Sequence, residues 1–225
     1  MEPVEDSAWN RVVKPHLPKN EREALPKARQ QALAAALQEW TAHCVGERLK
    51  AIAADQGRHE ILQRLAKPAW QIRHQGKDFL GAVRWQEVDV WLANAEAGLV
   101  LAADPKHFQS QDSFRKNWKN GHNDLVAFAS NLHERFPVCA VGGMICFPEW
   151  AADSAGLKQV QSICGRSIPR ERPLNAYGKF EGFGLVIYSR NWRLSWPFAP
   201  DSPLKPSAAM HSLATAVFTR SLSLL

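Results

Sequence analysis

Apolar residues recur at helical spacing early in the chain. Leu33, Leu37, Trp40 and Cys44 stand at i, i+4, i+7 and i+11, which places one apolar stripe on a long helix from Lys27 to about Ala53. Ahead of it, residues 1–27 carry Pro3, Pro15, Pro18 and Pro26 among mixed charges, the pattern of an extended arm. A second helix is predicted from His59 to Ala69, with Ile61, Leu62 and Leu65 inward and Pro68 near its end.

The period then changes. "AVRWQEVDVWLA" (82–93) and "GLVLAADPKHF" (98–108) are β-rich runs joined by "NAEA", a four-residue loop suited to a hairpin. The second run is apolar on both faces, the mark of a strand covered above and below. From about Asn120 to Arg135, Leu125, Phe128, Ala129 and Leu132 return to helical spacing, and Pro137 closes that helix. "VCAVGGMICF" (138–147) follows as another buried strand, so the strand–helix–strand unit predicts a parallel crossover. A helix near 155–164, a Pro- and Gly-rich basic loop (165–179) and a strand "GFGLVIYS" (182–189) come next. Ser207 is the expected N-cap of a last helix burying Met210, Leu213, Ala214, Val217 and Phe218. The expected fold is a three-layer α/β/α domain around a central mixed sheet. Residues 1–55 form an arm and helical segment, and 56–225 the α/β core of a single domain.

Composition narrows the function classes only partly. The 225 residues are 45% apolar, enough for a substantial core. A net charge of +6 permits an anionic partner without demanding one. "MEPVEDSAWN" is acidic where an export signal needs a basic segment, and nothing approaches the roughly 18 apolar residues of a membrane span. Cys44, Cys139, Cys146 and Cys164 form no CxxC pair and read as reduced core residues. The expectation is a cytoplasmic protein with no membrane partner.

The chemistry concentrates where the second β run ends. Asp104 and Lys106 are two residues apart, so a strand projects both from one face. If Ala93 lies opposite Gly98, then Asp89 faces Ala102 and Glu87 faces Asp104, and all four charged residues share a side. Diagonal neighbours lie roughly 7–8 Å apart, within reach of one cation, whereas a one-residue slip would turn Glu87 and Asp89 away. Hydrolysing a phosphodiester needs a hard cation, an activated water and positive charge near the transition state. Asp89 and Asp104 suit Mg²⁺, the Pro105 carbonyl suits a third ligand position, and Lys106 suits orienting or helping to deprotonate the water.

Asp89, fourteen residues, then Asp104-Pro105-Lys106 on the second arm of a hairpin resembles the PD-(D/E)xK nuclease superfamily. The order of elements from about 59 to 150 is similar to that superfamily's core, and the chain looks most like a type II restriction endonuclease. Val88 stands where the pattern has proline, and Pro105 inside the motif is unusual. The resemblance implies a restriction-endonuclease-like core, Mg²⁺-dependent cleavage of double-stranded DNA, and a helical glutamate adding a metal contact, which maps to Glu60. It also admits a repair nuclease, an antibacterial DNase toxin, or a DNA-binding protein with a decayed core.

"QSQDSFRKNWKNGHND" (109–124) supplies Arg115, Lys116, Asn117, Lys119 and Asn120 as candidate DNA contacts, and Arg166, Arg170, Arg172 and Lys179 form a second group. The same stretch equally resembles a polar surface loop feeding a helix. His59-Glu60 and His122-Asn123 lack partners for a zinc site, and no G-x-S-x-G occurs. One site per chain favours a homodimer for cutting both strands, with the helix at 27–53 as an isologous surface.

Overall fold

The computed structural model describes residues 4–95, 97–170 and 176–222. An antiparallel ribbon, β1 (Lys77–Leu80) and β2 (Trp85–Val88), precedes a five-stranded sheet of β3 (Val90–Asn94), β4 (Gly98–His107), β5 (Ala140–Pro148), β6 (Gly182–Tyr188) and β7 (Leu194–Ser195). The strands lie side by side in that order. β3 and β7 run antiparallel to their neighbours, while β4, β5 and β6 are mutually parallel.

Helices α1 (Val4–Ala8), α2 (Lys27–Asp55), α3 (His59–Leu65), α4 (Gln111–Arg135), α5 (Ser154–Gly165) and α6 (Pro206–Arg220), with a π-helical turn (Trp9–Val13) and short 3-10 turns (Lys14–His16, Pro68–Trp70, Glu149–Ala151), complete the described elements. β5 and β6 are buried along their whole lengths, as strands covered on both faces must be. On one face Met144, Cys146, Val186 and Tyr188 pack with Leu37 and Trp40 of α2 and Met210 and Leu213 of α6. On the other, Val141, Ile145, Phe147 and Leu185 pack with Phe114, Trp118, Leu125 and Phe128 of α4 and Val160 of α5. Alternate residues of one strand thus feed two cores, and each large side chain so buried contributes roughly 1.5–3 kcal/mol. The chain is a mixed α/β domain, and among the described residues no helix is long and apolar enough to cross a membrane.

Several expectations change. Residues 4–17 are not an extended arm, because Ala8, Trp9, Val13 and Leu17 are apolar enough to bury themselves on α2. The Trp9 and Trp40 rings meet edge to face at 5.6 Å, Trp40 Nε1 donates to the Glu5 carbonyl, and Arg48 grips the Glu5 carboxylate at 2.7 Å. The α2 stripe is therefore spent within the chain and supplies no isologous surface. α3 stops at Leu65, and Pro68 opens a short 3-10 turn instead of ending the helix. α4 starts at Gln111, nine residues before the apolar pattern announces it, because the Ser110 side chain accepts from Ser113 N as an N-cap. α6 starts at Pro206, whose fixed φ suits a first turn, so Ser207 is not its cap.

Candidate active site

The register of the β3–β4 hairpin decides whether the acids meet. Asn94 pairs with Gly98 and Ala93 with Leu99, but Leu92 pairs with Leu101, Trp91 with Ala102 and Val90 with Ala103. Val100 is thus the extra residue of a β-bulge. The expected pairing of Ala93 with Gly98 is corrected, and so is that of Asp89 with Ala102, which Trp91 occupies. Continued by one residue, the observed ladder sets Asp89 directly across from Asp104. Without the bulge Asp89 would face Ala103, and its carboxylate would leave the opposite side of the sheet from Asp104.

Backbone direction explains the rest of the arrangement. Phe108 N donates to the Cys146 carbonyl across the β4–β5 edge, so residues 104, 106 and 108 turn their backbone groups toward β5. The ladder stops at Val90 with Ala103, so Asp89, in the bend just before β3, comes in beside Asp104, whose charge acts on its carboxyl. Pro105 turns its backbone the other way, past Val90, where β3 has ended. Its missing N–H costs nothing there, and its carbonyl is directed to the side from which Asp89 comes.

Lys106 Nζ lies 2.7 Å from Asp104 Oδ2. Asp104 is only 7% exposed, whereas the Lys106 side chain is 38% exposed, so the pair spans from interior to surface. Asp104 Oδ1 is buried without a hydrogen-bond partner. Burial, together with the Asp104 charge, pushes the Asp89 carboxyl up to about 6, against a hydrogen bond from the Gln38 side chain and the charge of Lys106. Burial also raises Asp104, with Lys106 opposing. For Lys106 burial acts downward, but Asp104, then Asp89 and Asp124, outweigh it and hold the ammonium above its usual range. Lys106 is therefore a cation at neutral pH, suited to orienting water and phosphate.

An oxygen-preferring cation fits these residues. The facing Asp104 charge raises the proton affinity of Asp89, and Asp104 Oδ1 is buried without a hydrogen-bond partner, so a cation between them would relieve both. Among the described residues no three His, Cys, Asp or Glu side chains gather closely enough to hold a metal ion. Glu87 is not opposite Asp104. It pairs with Asp78 on the exposed ribbon, because the chain bends at Asp89 and β2 leaves the sheet. Glu60 is exposed at the start of α3 and engages Arg58.

The sequence alone does not point to Gln38 or Asp124. Gln38 reaches Asp89 from α2, 51 positions away, and Asp124 acts on Asp104 and Lys106 from α4. α4 packs closely on Phe108, the residue after β4, because Gly121 has no side chain and a Cβ there would sit 2.9 Å from the Phe108 ring. Asp124 lies inside the helix expected from about Asn120, but nothing in its spacing shows that this face turns toward Asp104 and Lys106.

Arg115, Lys116, Asn117, Lys119 and Asn120 are all exposed on the first turns of α4, the helix that follows the Asp104–Lys106 strand. Arg166 is exposed after α5, and Lys179 folds back onto its carbonyl. Arg172 lies outside the described residues. Arg170 is corrected: it is 1% exposed and its Nη1 lies 2.9 Å from Glu181 Oε1, so no phosphate reaches it. Glu181 also takes Arg220 at 2.6 Å and the Val141 N–H at 2.7 Å, with His133 Nε2 at 3.2 Å. Burial raises this carboxyl, but His133, Arg220 and Val141 outweigh it and hold it at about 2. The second basic group is thus split between surface and core. No family model, curated protein or solved structure matches the chain.

Proposed function

We propose that the chain is a Mg²⁺-dependent endodeoxyribonuclease with a restriction-endonuclease-like core, acting on double-stranded DNA in the cytoplasm as a homodimeric type II restriction enzyme. The observation that carries this reading is the placement of Asp89 across from Asp104 with Lys106 Nζ 2.7 Å from the latter's Oδ2, on strands that end beside a basic helix. A buried carboxylate pair costs stability, and an intact acid–acid–lysine trio speaks against a decayed core.

Asp89, Asp104 and the Pro105 carbonyl would hold the ion. When bound, Mg²⁺ shields the phosphate and makes a coordinated water more acidic. The Lys106 ammonium, fixed by Asp104, attracts the scissile phosphate, orients the attacking water and offsets negative charge as it grows on the phosphorus oxygens. Gln38 holds the Asp89 carboxylate in its ionised form through the hydrogen bond that lowers its proton affinity. Arg115, Lys116 and Lys119 lie along the exposed side of α4 and suit the flanking phosphates.

Incubating supercoiled plasmid with wild type, Asp104→Asn and Lys106→Ala, with Mg²⁺ or with EDTA, tests the reading. Cleavage by wild type in Mg²⁺ and not in EDTA is expected, with Asp104→Asn inactive and Lys106→Ala slowed by at least about 10²-fold. Wild-type cleavage in EDTA, or by either variant, overturns it. Sequencing the ends separates a restriction enzyme, which leaves discrete fragments, from a repair or toxin nuclease.

A further inference from the structure

Three of the six large apolar side chains exposed among the described residues lie on one short ribbon: Leu80 at 48%, Val83 at 83% and Trp85 at 66%. Leu80 and Trp85 are cross-strand partners, so β1 and β2 present them side by side with Val83 in the turn above. The reverse face is spent inward. Val88 is fully buried, Phe79 packs edge to face on Trp91 at 5.6 Å, and Lys77 lies over the Trp91 ring.

The turn is held in one shape. Asn131 of α4 accepts from Val83 N at 2.9 Å, donates through Nδ2 to the Arg84 carbonyl at 3.1 Å, and takes the Ala82 N–H on its own carbonyl at 3.0 Å. Gly81 lies so close to the Asn131 side chain that no Cβ would fit between them. An exposed apolar tip that is pre-organised in this way loses little conformational entropy on binding. Isolated surface apolar residues need no explanation, but a rigid cluster of three marks an interaction surface.

We infer that the β1–β2 ribbon enters a groove of the duplex and sets Trp85, Val83 and Leu80 against base edges, with Arg84 beside them. This rests on the nuclease reading and adds to it the element that reads the substrate. β2 runs into Asp89 with no intervening residue after Val88, so the ribbon is tied to the acid pair. Asp89 is four positions on from Trp85, about 13 Å at roughly 3.3 Å per residue. That matches a major groove roughly 12 Å wide and 8.5 Å deep, which admits a two-stranded ribbon. With a phosphate at the acid pair, the tip reaches base edges. Asp78 and Glu87 oppose each other on the same face between tip and acid pair, so they repel phosphate from the ribbon's base and leave contact to the tip. The net charge of +6 favours an anionic partner such as DNA over a basic or neutral surface.

Trp85 is the most exposed of the nine tryptophans, so acrylamide quenching reports on it. The experiment uses Asp104→Asn in EDTA, which removes cleavage and one repelling charge, with a blunt duplex of about two helical turns. Expected are protection of the fluorescence from acrylamide on adding duplex, loss of that protection in Asp104→Asn with Trp85→Phe, and at least about tenfold weaker binding with Trp85→Ala or Val83→Ser. Duplex binding by gel shift with no protection and no effect of either tip substitution overturns the inference while leaving the nuclease reading intact. Protection that grows with protein concentration in the absence of DNA assigns the tip to a second copy of the chain and also overturns it. Failure to bind duplex at all overturns both.

Discussion

Asp89 stands across the hairpin from Asp104, and burial together with that facing charge raises its carboxyl to about 6. A carboxyl whose folded value is raised gives stability at low pH and loses it as pH climbs from about 3.8 to about 6. Above that window the folded protein carries the cost of two opposed charges. Asp89→Asn should therefore be more stable than wild type at pH 8, by up to about 3 kcal/mol before partial solvent exposure reduces it, and nearly equal to it at pH 4. Urea unfolding at the two pH values checks this; a difference that is the same at both would show that the carboxylates do not face each other.

Cation binding should relieve the same cost. At about ten times its dissociation constant Mg²⁺ adds about 1.4 kcal/mol to wild-type stability at pH 8, and nothing to Asp89→Asn or Asp104→Asn. Because the ion competes with the proton on Asp89, this stabilisation should vanish as pH falls below about 6. Thermal melts across a pH series measure both effects.

Gln38 acts through Asp89 and is a positioning residue. Its hydrogen bond lowers the proton affinity of Asp89, so Gln38→Ala should shift the acid limb of the cleavage profile to higher pH and weaken Mg²⁺ binding, while rates in saturating Mg²⁺ at pH 8.5 stay close to wild type. A uniform loss at every pH and Mg²⁺ concentration would assign Gln38 to packing alone.

Lys106→Ala should lower the cleavage rate by about 10²–10³-fold, the usual effect of removing one preorganised charge from a transition state. Lys106→Arg keeps the charge but not the point geometry beside Asp104, and should recover little. Single-turnover rates on a short duplex compare the three proteins without interference from product release.

The Glu181 cluster predicts a stability effect that has no counterpart in catalysis. Glu181→Ala leaves the buried Arg170 guanidinium without this anionic partner and should cost about 3–5 kcal/mol at pH 7. The carboxyl is held at about 2, so its contribution is present above about 4.5 and is lost as pH falls toward 2. Arg170→Ala should lower the melting temperature yet leave DNA affinity per folded molecule unchanged, in contrast to Arg115→Ala. Gel shifts on folded fractions separate the two.

Light scattering on the DNA complex should give two chains per duplex if the protein cuts both strands with paired sites. One chain per duplex at micromolar concentration would exclude the homodimer and favour sequential nicking.

By itself the sequence determined those features that depend on local pattern. The period of Leu33, Leu37, Trp40 and Cys44 gave α2, the doubly apolar runs gave β4 and β5, and the two-residue spacing put Asp104 and Lys106 on one face. Such features follow from side-chain direction along a single element, which covalent geometry fixes. Tertiary structure decided the rest. Whether Asp89 meets Asp104 depends on the bulge at Val100, a matter of which residues pair across strands. Arg115 is surface and Arg170 core although both are arginines in short basic stretches, because only the folded chain brings Glu181, Arg220 and His133 around one of them. Gln38 and Asp124 join the site from helices distant in sequence, drawn there by packing energies spread over dozens of apolar contacts that leave no local mark on either residue.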